Sequence, residues 1–368
     1  MNIYQIFKKC YNQNIVMAIF FKRQNLKKII IAIFSLAVFF ILGMEAEKIY
    51  ESIVQAKLQA SASNPDITVR QSDIAPTIYR FIDPLLACDV SSKKQATEFI
   101  PLKIAIQSVI DGKVNAGKAG IVSVYFDTRD GNWLDINPGE KFSPASLLKV
   151  PTAIAYFEEA ESNPALLQQK LFYDGSSDLN SLEYFKSAET IKPNQSYTVE
   201  DLLSRMLGYS DNNASDLLIR NMNIPILNEV YGDLGVVLPK NNGTEISDYI
   251  TVKQYANFFR ILYNASYLNR EMSEKALSFL ALANFSQGLK AGIPAGVVIA
   301  QKFGERDFTD DTGKSVQKEL HDCGIIYYPG HPYLLCVMTK GTDFDGLAGT
   351  ISDISSTVYK YIDQHKDN

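Results

Sequence analysis

In "FSPASLLKVP", residues 142–151, Ser146 and Lys149 stand three positions apart. A serine hydroxyl becomes a nucleophile when a nearby base takes its proton, and a lysine one helical turn on shares its face and lies within reach. For Lys149 to act as that base at neutral pH, its ammonium must be destabilised by about 4 kcal/mol, which requires burial or a second cation. Leu147, Leu148 and Val150 supply apolar neighbours for such burial. The spacing alone decides nothing, because Ser91/Lys94 and Ser315/Lys318 repeat it.

Two further clusters could complete this chemistry. In "GYSDNNASDLL", Ser210, Asp211 and Asn212 are ordinary loop and cap residues. Ser210 could also relay a proton to a leaving group, and the Asn212 amide could hold a substrate carbonyl or the lysine. In "GVVIAQKFG", Lys302 ends an apolar strand. A lysine there usually marks a sheet edge, but it could also depress the pKa of Lys149 and attract a carboxylate, while Gly304 lets a substrate lie along the strand.

Helix signals position the first cluster. Ser143 is a good N-cap and Pro144 a good first residue, so Ser146 is expected in the first turn, at the positive end of the helix dipole. Pro151 complicates this start, since a proline there frees a carbonyl one turn back and favours a kink. Gly208 is expected to stop a helix begun by Thr198 and Asp201.

Around these clusters, "FIPLKIAIQSVI" has helical spacing, and "AGIVSVYFDTRDGNWLDIN" reads as two strands around an Asp-Gly turn. From Ser143 to about Ala291 the period is 3.6 residues, so this block is expected to be helical. Strands return at "GVVIAQKFG", "CGIIYY" and "PYLLCVMT", followed by a helix with Leu347, Ile351, Ile354, Val358 and Ile362 on one face. Strands at both ends with helices between them predict an α+β (α/β) fold, an antiparallel sheet built from the two ends, flanked by helices, with an inserted all-helical subdomain. A site is expected in the cleft between sheet and helices.

The first 28 residues carry six basic residues and no acid, leaving 30 basic against 41 acidic residues in the remainder. Such an acidic body excludes nucleic acid as a partner. The basic block runs into sixteen uncharged residues, Ile29 to Met44, followed by Glu45, Glu47 and Glu51. This asymmetry predicts a cytoplasmic segment (1–28), a single membrane anchor (29–44), a polar helix and stalk (45–78) and an extracytoplasmic domain (79–368). Sixteen residues also fit the apolar region of a cleaved signal, but "GMEAEK" offers no small-x-small cleavage site. Four cysteines make no disulfide framework; Cys323 and Cys336 could face each other across a hairpin centred on Pro329-Gly330, or remain buried thiols.

Ser-x-x-Lys opening a helix, Ser-Asp-Asn in an interhelical loop and Lys-Thr/Ser-Gly on a strand is the pattern of class A serine β-lactamases and penicillin-binding relatives. The chain resembles that family from about Tyr79 to its end; Ser146/Lys149 and Ser210/Asp211/Asn212 match fully, and Lys302/Phe303/Gly304 matches at its outer positions. The resemblance implies an acyl-enzyme on Ser146, with Lys149 as base or relay, Ser210 as second relay and Lys302 as electrostatic anchor. Asn212 and Gly304 would bind substrate, and the backbone N–H groups of Ser146 and Glu305 would form the oxyanion hole. The substrate would be a β-lactam or a D-Ala-D-Ala-like peptidoglycan amide. Two departures bear on turnover. The stretch following the Ser-Asp-Asn helix lacks the family's deacylating Glu pattern, having only Glu245, and Phe303 removes a carboxylate-holding hydroxyl. The alternatives are therefore a slowly deacylating penicillin-binding or sensor protein, and a catalytically silent scaffold.

Competing motifs are weaker. "GKVNAGKA" nearly spells a phosphate loop, but Ala119 replaces the magnesium-holding hydroxyl and the segment joins helix to strand. Of three histidines, only His321 beside Asp322 could serve a Ser-His-Asp triad, and without a Gly-x-Ser-x-Gly elbow it reads as structural. No His/Cys pair has metal-ligand spacing, so no cofactor is expected.

Overall fold

The structure, a computed structural model, describes residues 79–84, 97–128, 132–176, 178–237 and 248–366. The expected basic segment, anchor and stalk, and also Ser91, Lys94 and Glu245, lie outside the described residues. Among the described residues, no helix is long and apolar enough to cross a membrane.

Helix α1 (Ile100–Asn115) precedes the strands β1 (Ile121–Thr128) and β2 (Trp133–Ile136). A two-residue strand, β3 (Lys141–Phe142), and a 3-10 turn (Ala145–Leu148) lead into α2 (Lys149–Ser162). Strands β4 (Lys170–Tyr173) and β5 (Gln195–Thr198) come before α3 (Val199–Gly208), α4 (Asn212–Arg220) and α5 (Ile224–Asp233). Then come β6 (Ile250–Thr251), α6 (Val252–Tyr263), α7 (Arg270–Leu280), β7 (Ile299–Thr309), β8 (Ser315–Ile326), β9 (Tyr333–Gly341) and α8 (Phe344–His365).

The main sheet is antiparallel in the order β2-β1-β9-β8-β7, so the chain's two ends do meet in one sheet. Both of its faces are buried, which is why β1 and β9 read as apolar runs rather than as alternating patterns. Val122, Val124, Phe126, Leu335 and Val337 face one core with α1 and α8. Tyr125, Cys323, Ile325, Cys336 and Met338 face another, with α2, α3, α6 and α7. On α8, Leu347, Ile351, Ile354, Val358 and Ile362 are all buried at the expected helical spacing, each worth about 1.5–3 kcal/mol of transfer free energy.

Thr198 caps α3 by accepting from the Asp201 N–H, and the helix ends at Gly208, as the sequence predicts. The block from Ser143 to Ala291 is not wholly helical, because β3 pairs with β6 and β4 with β5. These ladders of two and four residues are too short to leave a period of their own. Cys323 and Cys336 lie directly opposite each other on β8 and β9 and form a disulfide.

Candidate active site

Ser146 lies in the 3-10 turn just ahead of α2, and Lys149 is the first residue of that helix. The expected N-cap at Ser143 does not form. Pro144 precedes the turn, and no side chain caps it. Pro151 accounts for the late start, since it falls in the first turn of α2, where backbone N–H groups have no helical partner and a missing one costs nothing. The 3-10 turn closes by a Leu147 N–H to Pro144 carbonyl bond of 2.9 Å. Ala145, immediately before Ser146, has φ 47°, a left-handed conformation that a non-glycine residue adopts only under constraint.

Strand β7 passes close to this turn. A Cβ on Gly304 would lie 2.9 Å from the Pro144 carbonyl oxygen and 3.1 Å from the Leu147 nitrogen, so only glycine lets strand and turn approach this closely. That packing brings Glu305 beside the nucleophile's turn, at the free edge of the main sheet.

Ser210, also left-handed at φ 57°, joins α3 to α4 and is buried between two lysines. Its Oγ accepts from Lys149 Nζ at 3.0 Å and from Lys302 Nζ at 2.9 Å. Lys149 Nζ also donates to the Ser210 carbonyl at 2.5 Å and to Asn212 Oδ1 at 2.6 Å. Lysine has three donors, and all three point to the Ser-Asp-Asn loop, so Lys149 is joined to Ser210 and Asn212 rather than directly to Ser146. Burial pulls the Lys149 pKa down to about 8, against the opposing pull of Glu183, Asp211 and Glu305. Burial, and then the cation on Lys149, hold Lys302 well below the usual lysine range. Two ammonium groups on one hydroxyl in a buried site favour release of a proton, as base chemistry requires.

Asp211 fixes the loop without entering the chemistry. It caps α4 through the Asn213 and Ala214 N–H groups and also accepts from Asn180 Nδ2 at 2.8 Å and Ile191 N at 2.7 Å. The Asn212 Nδ2 group donates to Glu183 Oε1 at 2.8 Å and Leu179 O at 3.3 Å, so this amide bridges the lysine and a second carboxylate. Burial raises the Glu183 pKa to about 7, and its Oε2 is buried without a hydrogen-bond partner. The Glu305 carboxylate accepts from the backbone N–H groups of Tyr184, at 2.6 Å, and Phe185, at 3.2 Å. Residues 183–185 therefore run from Asn212 to the edge of β7. The sequence does not single out Glu183, a lone acid in an irregular loop, or the carboxylate of Glu305 on β7, since neither carries a spacing signal.

Phe303 stacks on Phe285 with centroids 4.2 Å apart, and its ring lies 4.5 Å from Lys302 Nζ. An aromatic ring thus stands beside the ammonium where a hydroxyl would otherwise be. His321 is buried, with Nε2 3.0 Å from the Ser143 carbonyl oxygen, and takes no part in a triad with Ser146.

A family model described as "Beta-lactamase enzyme family" matches residues 101–362. The chain belongs to this beta-lactamase family. A beta-lactamase from Streptomyces albus G is 25% identical over 238 residues, covering 60% of this chain and 72% of the relative. A class A beta-lactamase from Mycobacterium abscessus superposes with a TM-score of 0.57 at 22% identity, covering 71% of this chain and 99% of that one. PBP-A, solved as a point mutant in an acyl-enzyme complex with penicillin G, gives 0.57 at 21%, covering 72% and 97%. These likenesses show the class A beta-lactamase and transpeptidase fold in the same antiparallel sheet and flanking helices seen here.

Proposed function

We propose that the protein is an active-site-serine acyl-transfer hydrolase acting on β-lactams or D-Ala-D-Ala-like peptidoglycan amides through an ester on Ser146. The observation that carries this reading is the Ser210 hydroxyl held by two buried lysines, Lys149 at 3.0 Å and Lys302 at 2.9 Å. Neutral Lys149 takes the Ser146 proton as Oγ attacks the amide carbon, and catalytic hydrogen bonds that are long in the free enzyme tighten at this stage. The C–N bond breaks, and the leaving nitrogen receives a proton through Ser210, which is resupplied by Lys149. Lys302 holds positive charge for a substrate carboxylate. The N–H groups of Ser146 and Glu305 stabilise the oxyanion, each such donor being worth about 3 kcal/mol. Water then cleaves the ester, giving a carboxylate and restoring the Ser146 hydroxyl.

The alternative is a penicillin-binding or sensing protein that stays acylated, and the Phe303 ring beside Lys302 favours it for substrates held by their carboxylate. A basic segment, an apolar run and then acids support an extracytoplasmic domain tethered by residues 29–44. The Cys323–Cys336 disulfide supports the same oxidising side of the membrane.

Incubation with a reporter penicillin, followed by intact mass, tests the reading. An adduct on Ser146 that decays within minutes is expected of a hydrolase, and one lasting hours identifies the sensor. No adduct, with Ser146→Ala indistinguishable from wild type, overturns acyl transfer.

A further inference from the structure

The turn that presents Ser146 is strained at Ala145, and such a conformation persists only where its surroundings over-determine it. Three elements hold the turn. Strand β7 abuts it through Gly304, and on α6 the Tyr255 hydroxyl donates to the Leu147 carbonyl at 3.1 Å. The third element is β8, and its contribution is unusual because it is ionisable and fully buried. Glu319 and His321, both 0% exposed, lie two apart on β8 and so face the same side of the sheet.

These two side chains take both backbone polar groups of Ser143. The Ser143 N–H donates to Glu319 Oε2 at 2.9 Å, and the Ser143 carbonyl lies 3.0 Å from His321 Nε2. The tautomer follows from the other ring nitrogen: Nδ1 accepts from the Thr339 N–H at 3.3 Å, so Nε2 carries the hydrogen and donates. That hydrogen also faces Glu319 Oε2, 3.3 Å from Nε2. Glu319 is itself fixed, since Gln317 Nε2 donates to its Oε1 at 3.0 Å and Lys340 Nζ lies 3.9 Å away. The Phe142 ring meets His321 edge-on, with centroids 5.2 Å apart. A buried acid and imidazole are costly unless fully satisfied, and nothing in the acyl-transfer chemistry uses them directly.

We propose that Glu319 and His321 are positioning residues for Ser146: by clasping the N–H and the carbonyl of Ser143, they hold the strained Ala145 turn so that the nucleophile meets the oxyanion donors. This role rests on the acyl-transfer reading. Its chemical content is geometric, because misplacing a reacting group by about 1 Å costs about 100-fold in rate.

The test is pre-steady-state acylation of the full chain by a fluorescent penicillin, which separates the half-saturating concentration from the limiting acylation rate. Adduct amplitude counts the folded fraction, so partial unfolding lowers the amplitude and leaves the rate readable. Glu319→Met and His321→Phe keep volume and remove the clasp. The limiting rate is expected to fall about 100-fold in each, with half-saturation changed less than about threefold. Glu319→Gln keeps an acceptor for the Ser143 N–H and is expected to recover to within about tenfold of wild type. Ser355→Ala, which removes a buried hydroxyl bonded to the Leu289 carbonyl on the far side of the sheet, controls for lost stability and should leave the rate unchanged. The role is overturned if Glu319→Met and His321→Phe acylate within threefold of wild type, or if Ser355→Ala slows equally. Wild-type protein that forms no adduct overturns the acyl-transfer reading along with the role.

Discussion

The two faces of the main sheet are both buried, but by different means. On the α1/α8 face the buried side chains are mostly aliphatic or aromatic, recurring at helical spacing on α8, with Gln301, Asp322, Thr350 and Ser355 buried among them and Asp322 accepting from the Leu289 N–H at 2.8 Å. The opposite face also buries Lys149, Asp211, Lys302, Glu319 and His321 around the two strained residues Ala145 and Ser210. Apolar burial stabilises wherever it occurs, whereas buried charge persists only where partners satisfy it. One face therefore rests mainly on apolar packing, and the other gathers most of its buried charge around the Ser146 turn.

Four measurements can break or sharpen this contrast. Lys149→Ala removes the base and leaves Ser210 and Asn212 without their shared donor; the acylation rate on Ser146 should fall by about 1,000-fold, within the range of general-base effects, while the melting temperature moves little. A melting loss with acylation intact would erase the distinction between the faces. Ile354→Ala on α8 should do the opposite, costing about 2–5 kcal/mol in denaturant unfolding, with the acylation rate of the folded fraction unchanged.

Gly304→Ala should affect both properties, because the new Cβ would meet the Pro144 oxygen at 2.9 Å. Overpacking of this kind costs about 1–3 kcal/mol, and acylation should slow as the strand is pushed off the Ser146 turn. Normal kinetics in this variant would show that the close approach is only packing.

The smallest effect expected is a displacement along the pH axis. Lys149 has a pKa of about 8 in the fold against an ordinary value of 10.5, so between these values the unfolded chain binds more protons and stability rises with pH. The neutral base also accumulates as pH rises through about 8, so acylation should climb and then level off there. Glu183 is the leading anion supporting the Lys149 ammonium, and Glu183→Gln should move that midpoint to lower pH. Acylation measured from pH 6 to 10 checks this; an unmoved midpoint would mean that Glu183 does not sense the lysine.

How much was legible differed between the faces in the same way. The apolar stripe of α8, the strands β1 and β2 and the α3 start and stop could be read directly, because spacing, caps and glycine act within a few residues, while the expected Asp-Gly turn between those strands lies outside the described residues. Ser146, Lys149, Ser210, Asn212 and Lys302 were legible as a pattern of types. Ser143 misled as an N-cap: the chain enters a 3-10 turn behind Pro144 that no side chain caps, while the Ser143 backbone N–H and carbonyl are held by Glu319 and His321 from a strand more than 170 residues away. Glu183 left no signal at all, since its place beside Asn212 depends on how an irregular segment runs from Asn212 to the edge of β7.

The sequence by itself determined which elements form and which residue types are available for chemistry, since both follow from local propensity and hydrophobic period. Only the tertiary structure decided that Lys149 turns toward Ser210 and Asn212, that two ammonium groups share one hydroxyl, and that Cys323 meets Cys336. Those outcomes depend on strand register and on the burial of charge, and both are set by contacts between residues far apart in the chain.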